Sequence, residues 1–474
     1  MKSTIAVSGQ RTSSGRWALL CLSLSMLLSS LGTSIANVGL PTLAQAFGAS
    51  FQQVQWIVIA YLLAITTLIV SAGRLGDRIG RRRLLLIGIA LFTLASGLCG
   101  IAPTLDILIA ARALQGLGAA IMMALTLAMV SETVAKDKTG SAMGLLGTMS
   151  AIGTAMGPSL GGLLIEGFGW RTLFLITVPL GLMTWLLGHC YLPADRNKTD
   201  TSPPRFDAPG TLVLALTLAA YALSVTLGQG QFGVVNAALL VASVAGVGLF
   251  VLIESRAASP LIQLSLFRDP LLSGGLIMSA LVMSVMMTTL VVGPFYLAHA
   301  LRLDAVTIGM VLAVGPVVAA LTGVPAGRMA DRFGARPMTL AGLIAMAIGG
   351  LALSILPQTL GMAGYVASIM LLTLGYGAFQ TANSTALMAD VAADQRGVIS
   401  GLLNLSRNLG LITGAAALGA VFVFATGVAD ISTAPPAAIA HGMRITFAVA
   451  TGLMALAIMI ALTIHPLVAR RNRP

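Results

Sequence analysis

Fourteen apolar stretches follow one another along this chain, separated by short polar breaks. Each is about twenty residues long, which as a helix spans the hydrocarbon core of a bilayer. They run over about 17–38, 52–72, 84–103, 106–131, 140–165, 171–192, 209–227, 233–253, 271–298, 305–326, 338–356, 361–385, 397–426 and 442–465. Only 9% of the 474 residues are charged and 57% are hydrophobic, too few charges to solvate a soluble globule. The chain therefore reads as an all-α polytopic membrane protein. Gly157-Pro158 and Gly315-Pro316 fall inside stretches and should not divide them, because membrane helices tolerate such bends. The three cysteines, Cys21, Cys99 and Cys190, lie in apolar stretches, so neither a disulfide framework nor a metal site is expected.

An even number of crossings puts both termini on one side. With the N-terminus cytoplasmic, inner segments hold 22 of the 27 lysines and arginines. Outer segments hold Arg171, Arg302 and Arg444, while Arg112 and Arg407 fall within stretches. This asymmetry is the positive-inside pattern, so the net charge of +12 reports topology rather than a nucleic-acid partner. The first stretch follows Lys2, Arg11 and Arg16 and reads as a retained anchor, too long for a signal peptide.

Ten residues occur twice. Gly73-Arg74-Leu75-Gly76-Asp77-Arg78-Ile79-Gly80-Arg81-Arg82 returns 254 residues later as Gly327-Arg328-Met329-Ala330-Asp331-Arg332-Phe333-Gly334-Ala335-Arg336, identical at six positions. Both copies sit at inner turns, which marks a transporter built from repeated halves. The organisation is then a six-helix bundle over 1–192, a cytoplasmic linker over 193–208 and two extra helices over 209–253. A second linker covers 254–270 and a second six-helix bundle 271–474. The Asn197-Lys198-Thr199 sequon in the first linker is expected to be silent on the inner side. In the turns, Gly73 and Gly76 permit close helix packing, and Asp77 can neutralise neighbouring arginines or face a helix N-terminus.

Three further patterns carry chemistry. Gly153, Gly157 and Gly161, with Gly162 and Pro158, put glycines at i, i+4 and i+8 on one side of the fifth stretch, where helix backbones can touch. Arg112 sits two turns inside the fourth stretch, followed by Gln115 and Gly116; so costly a charge should face a cavity or a partner, unless it snorkels to the outer end. Asn404-Leu405-Ser406-Arg407-Asn408 places a second arginine mid-membrane, against the cavity or a polar partner.

Together these residues resemble the major facilitator superfamily, specifically its fourteen-span drug:proton antiporter branch, the QacA and EmrB type. The turn is similar to the superfamily's G-x-L-a-D-r-x-G-r-k/r signature and the glycine stripe to its exporter-associated g-x-x-x-G-P-x-x-G-G motif. Trp170-Arg171 with Pro179 and Gly181 resembles the branch's W-R-x-x-F-x-x-N-x-P-x-G, with Thr177 in place of Asn. The resemblance implies two six-helix bundles plus two inserted helices. It implies gating by Gly73, Arg74, Asp77, Arg78, Gly80, Gly327, Arg328, Asp331 and Arg332. Asp77 would latch near Arg396 to Ser400 in one access state, and Asp331 near the start of the fifth span. Arg112 would serve proton transfer, driven by a proton gradient and not by ATP. The location implied is a bacterial inner membrane, with a periplasmic adaptor left open.

One departure stands out. Where the branch has L-D-x-T-x-x-N-x-A-L-P, this chain has Leu31-Gly32-Thr33-Ser34-Ile35-Ala36-Asn37-Val38-Gly39-Leu40-Pro41, so the usual proton-carrying aspartate is Gly32. All fifteen acidic residues map to loops or span ends, with Asp106, Glu132 and Glu166 nearest the membrane. A cavity with arginines and no carboxylate should favour neutral or anionic amphiphiles over quaternary ammonium compounds. Expected lining residues are Ser30, Thr33, Ser34 and Asn37 on one face of the first stretch, with Gln115, Tyr376, Gln380, Asn383, Asn404 and Arg407. One or two of Met278, Met283, Met286 and Met287 are expected on an adaptable apolar wall.

The leading function is secondary export of small amphiphilic molecules. The alternative is a metabolite facilitator or importer without the usual proton coupling. An enzyme is not expected: His-Glu-x-x-His, Gly-x-Ser-x-Gly and phosphate-loop patterns are absent from the sequence.

Overall fold

A computed structural model describes residues 2–134, 139–195, 207–227, 233–257, 264–388, 396–428, 431 and 434–471. Among them are fourteen helices long and apolar enough to cross a membrane. These are α1 Gly15–Val38, α2 Phe51–Ile69, α3 Arg81–Ile101, α4 Leu105–Val130, α5 Leu145–Phe168, α6 Thr172–Tyr191, α7 Ala208–Thr226, α8 Val234–Arg256, α9 Pro270–Ala300, α10 Ala305–Gly323, α11 Ala335–Ile355, α12 Gly361–Met388, α13 Gly401–Thr426 and α14 Pro436–Ile464. Helices satisfy their own backbone polar groups where no water is at hand. Pro158 and Pro316 sit inside unbroken helices, as the sequence predicts.

Aspartates at span ends act as N-caps. Asp207, Asp269 and Asp304 accept backbone N–H bonds from Gly210, Leu271 and Thr307, and so start α7, α9 and α10. The Thr307 backbone N–H and hydroxyl hold the Asp304 carboxyl below the usual carboxylate range.

Helices α1–α6 form one bundle and α9–α14 the other. In the first, α1 packs along α5 and α4 on α2 and α3. In the second, α9 packs along α13, and α11 on α12 and α14. The bundles meet where α5 lies on α10 and α2 on α13. Helices α7 and α8 form an inserted hairpin, joined where Asn236 Nδ2 donates to the carbonyls of Ser224 and Leu227. The hairpin docks on α2 through Trp56 Nε1 to Thr226 Oγ1 at 3.1 Å and Ser71 Oγ to Thr211 Oγ1 at 2.9 Å. Only 11% of the apolar window of α8 is buried, so this helix faces lipid.

Three local features depart from the sequence reading. A short helix, Leu40–Phe47, fills the break between α1 and α2. Helix α6 is interrupted at Ile176, between Thr172–Leu175 and Thr177–Tyr191. The charged segments are not loops: one helix runs from Phe51 to Ile79 and another from Ala305 to Phe333. Each turn is a single glycine, Gly80 at φ +106° or Gly334 at φ +89°, before the next helix starts at Arg81 or Ala335. That left-handed backbone is why glycine recurs at this place in both copies.

Candidate functional site

A cavity of about 1210 Å³ lies between the bundles, lined by α1, α2, α4 and α5 on one side and α9, α10, α12 and α13 on the other. It reaches Gly73, Ala128, Met143 and Gly401, and therefore opens toward the end that bears the charged repeats. The opposite end is closed by contacts between the bundles. Phe51 of α2 wedges between Phe295 of α9 and Phe422 of α13, with ring centroids 4.6 and 5.3 Å apart, all three buried. Gln55 Nε2 donates to the Ala415 carbonyl at 2.9 Å.

The glycine stripe of α5 does two jobs there. Gly153, Gly157 and Gly161 lie against α1, where a Cβ would meet Leu31 N at 3.1 Å, Ser34 Cβ at 2.7 Å and Val38 Cγ1 at 2.6 Å, respectively. Ser34 Oγ donates to the Gly153 carbonyl at 3.3 Å across the same contact. Gly162 and Pro158 instead face the other bundle: a Cβ on Gly162 would come within 3.2 Å of Val306 Cα, and one on Gly309 within 3.2 Å of the Pro158 carbonyl carbon. The other bundle repeats the scheme. Gly410 and Gly414 pack on α9 near Met283 and Met287, while Gly419 crosses to Gln55 and Phe51 of α2. Each bundle thus has glycines that bind it together and at least one that lets it touch its counterpart.

Arg112 does not line the cavity and does not snorkel. It is fully buried inside the first bundle. Its Nε donates to the Ile57 carbonyl at 2.9 Å, and Nη1 to the Gly32 carbonyl at 3.0 Å and to Gln115 Oε1 at 2.5 Å. The guanidinium lies 4.1 Å from the Tyr61 ring centroid, a cation–π contact in a fully buried site. Tyr61 OH donates in turn to the Ser29 carbonyl at 2.9 Å, and Gln115 Nε2 to Ser96 Oγ at 2.7 Å. A Cβ on Gly32 would stand 2.9 Å from the Tyr61 hydroxyl and 3.1 Å from Phe92. The Tyr61 hydroxyl and the Phe92 ring thus occupy the space that a side chain at position 32 would need.

Several expected lining residues prove to be structural. Gln115 is committed to Arg112 and Ser96. Asn37 is fully buried and donates to the Thr33 carbonyl at 3.3 Å. Asn383 Nδ2 ties α12 to the Gly275 carbonyl of α9 at 3.1 Å, and Gln380 Nε2 reaches Ser384 Oγ at 3.4 Å along its own helix. None of these four lines the cavity. Ser30, Thr33, Ser34, Tyr376, Asn404 and Arg407 do line it. Met283, Met286 and Met287 also line it, one more than expected, while Met278 is packed in the core. Met26, Met123, Met143 and Tyr365 join them, unforeseen, since a methionine in an apolar stretch carries no mark of the side it faces.

Arg407 lines the cavity, and its Nη2 donates to Tyr376 OH at 3.3 Å. No acidic side chain lines the cavity among the described residues. In the repeats, Gly76 packs on Leu125, a Cβ on Gly327 would lie 3.9 Å from Thr381 Cγ2, and Gly73 faces open space. Arg78, Arg328 and Arg332 are exposed. The side chains of Arg74, Asp77 and Asp331, and those of 396–398 and Ser400, lie outside the described residues, as does the latch expected of them. The Asn197-Lys198-Thr199 sequon also lies outside them. An unforeseen residue, Asp195, caps α3 by accepting from the backbone N–H groups of Arg82 at 2.8 Å and Arg83 at 3.2 Å. A side chain on Gly80 would collide with that carboxylate.

The profile of the Major Facilitator Superfamily matches residues 22–415 and again 276–474. The chain belongs to the major facilitator superfamily. Among relatives, this superfamily transporter is 30% identical over 408 residues to the riboflavin transporter RibZ of Clostridioides difficile (strain 630), covering 86% of this chain and 88% of RibZ. It is 32% identical over 421 residues to the multidrug efflux pump LfrA of Mycolicibacterium smegmatis, covering 88% of this chain and 82% of LfrA. A crystal structure of a bacterial homologue of the human lysosomal transporter Spinster, inward-facing and unoccupied, superposes with a TM-score of 0.70 at 15% identity. That match covers 95% of this chain and 97% of the other. The major facilitator fold of two six-helix bundles, here with two inserted helices, is thereby established.

Proposed function

We propose that this transporter is a secondary exporter of small amphiphilic molecules of the fourteen-span drug:proton antiporter branch. The observation that carries the reading is the α5 glycine motif at the bundle interface. Gly162 and Pro158 seal one end against Gly309 of α10 while the 1210 Å³ cavity opens at the other end. A seal of bare backbone is tight in one state and leaves no side chain to obstruct its opening. The bundles over 1–192 and 271–474 rock about the cavity between two access states. The repeats and both termini face the cytoplasm, the protein resides in a bacterial inner membrane, and the substrate enters from the cytoplasmic side. Relatives named as efflux pumps, LfrA among them, support export. Proton coupling is carried over from the antiporter branch.

A second reading, a facilitator without proton coupling, is favoured by one feature: Gly32 stands where that branch carries its carboxylate. The 30% identity to a protein named riboflavin transporter agrees with it. Proteoliposomes with an imposed pH gradient separate the two. Internal pH and substrate flux are followed for ethidium, chloramphenicol and nalidixate, with and without a protonophore. Antiport moves protons against drug and stops when the gradient collapses. Flux indifferent to the gradient selects the facilitator, and absence of flux for every compound refutes the export reading.

A further inference from the structure

We infer that Tyr376, Asn404, Arg407 and Asn408 form an anion-recognition corner that receives the acidic head group, a carboxylate or sulfonate, of an amphiphilic substrate. This rests on the transporter reading above and narrows its substrate class. The contrast between the two intramembrane arginines carries it. Arg112 is built into the first bundle with three oxygen acceptors and an aromatic face around it. Arg407 lines the cavity and, among the described residues, donates only to Tyr376 OH at 3.3 Å. A guanidinium carries five N–H donors in a planar fork, so most of this one is left for a ligand.

The neighbours have matching chemistry. Asn404 and Asn408 stand one turn apart on the same cavity-lining face of α13. Tyr376 OH accepts from Arg407, which leaves its own proton free to donate. With no acidic side chain among the described lining residues, a cationic ligand meets repulsion and an anionic one supplies the missing counter-charge. Met283, Met286 and Met287 offer an adaptable wall for the apolar body.

The test uses the full-length transporter in phosphatidylcholine nanodiscs and three probes with one apolar body: pyrenebutyrate, its methyl ester and pyrenylbutyl-trimethylammonium. Pyrenebutyrate should bind at least about tenfold more tightly than the ammonium probe, a difference of about 1.4 kcal/mol. Arg407→Gln should remove that preference and leave ester affinity within about twofold, since charge-assisted bonds exceed neutral ones. Asn408→Ala should weaken acid binding a few-fold, and because each variant is read as an acid-to-ester ratio, partial misfolding cancels. Equal or tighter binding of the ammonium probe overturns the inference. So does no binding of the acid, or an Arg407→Gln variant that loses acid and ester alike. Displacement of the acid by added phosphatidylglycerol would give the corner to a lipid phosphate and overturn the solute reading. Ester flux in proteoliposomes tests the transporter reading separately: flux without acid preference sinks only this inference, and acid preference without flux sinks only that reading.

Discussion

Substituting Gly162 by alanine should shift the transporter toward the state open on the end that is closed here. The added Cβ would lie 3.2 Å from both the Ala305 carbonyl carbon and Val306 Cα, inside ordinary carbon contact distance. Both are backbone atoms, which cannot swing aside as a side chain does. Overpacking of this kind costs about 1–3 kcal/mol. The cost exists only while α5 and α10 touch, so it acts on the access equilibrium by roughly 5- to 150-fold. Gly153→Ala is the control. Its Cβ meets the Leu27 carbonyl oxygen at 2.5 Å and Leu31 N at 3.1 Å on α1, within the same bundle, and is felt equally in both states. Gly153→Ala should lower the melting temperature without moving the equilibrium. Spin labels at Glu166→Cys and Arg302→Cys, exposed at the ends of α5 and α10, in a Cys190→Ser background that removes the exposed native thiol, would report the opening by double electron–electron resonance. An unchanged distance distribution in Gly162→Ala, or an equal shift in Gly153→Ala, refutes the assignment of these glycines to different contacts.

Further substitutions test the buried network and the turns. Arg112→Ala leaves the Gly32 and Ile57 carbonyls with their helical bonds alone, strands Gln115 Oε1 and empties a fully buried side-chain site. It should destabilise the protein by at least about 3 kcal/mol, read as a large fall in melting temperature. Asp195→Ala removes the cap of α3 and should cost about 1 kcal/mol, while Asp195→Asn, which keeps an acceptor, costs less; equal melting temperatures would count against capping. Gly32→Asp should destabilise because its Cβ falls 2.9 Å from Tyr61 OH. Adding Tyr61→Phe removes the nearest clashing atom and should recover part of the loss; a single variant as stable as wild type contradicts the packing argument.

The sequence made the crossings and both arginines legible because membrane burial leaves a mark on composition: twenty apolar residues are unambiguous, and a charge among them is conspicuous. It could not separate the two arginines. Arg112 and Arg407 look alike in their stretches, yet one is clasped by Tyr61, Ile57 and Gln115 and the other borders the cavity. Asn37, Gln115 and Asn383 misled for the same reason, since a polar residue on a membrane helix can face a cavity or a neighbouring carbonyl. Asp195 and the Phe51, Phe295 and Phe422 cluster left no local signal, their partners being 112 to 371 residues away.

From the residues alone come the fourteen membrane-spanning helices and the twofold repeat, because these depend on local hydropathy and on the order of residues along the chain. Which end of the cavity is closed, which glycines cross between bundles and which arginine is left for a ligand were decided only by the folded arrangement. Those properties belong to pairs of atoms far apart in the chain, and only packing brings such pairs together.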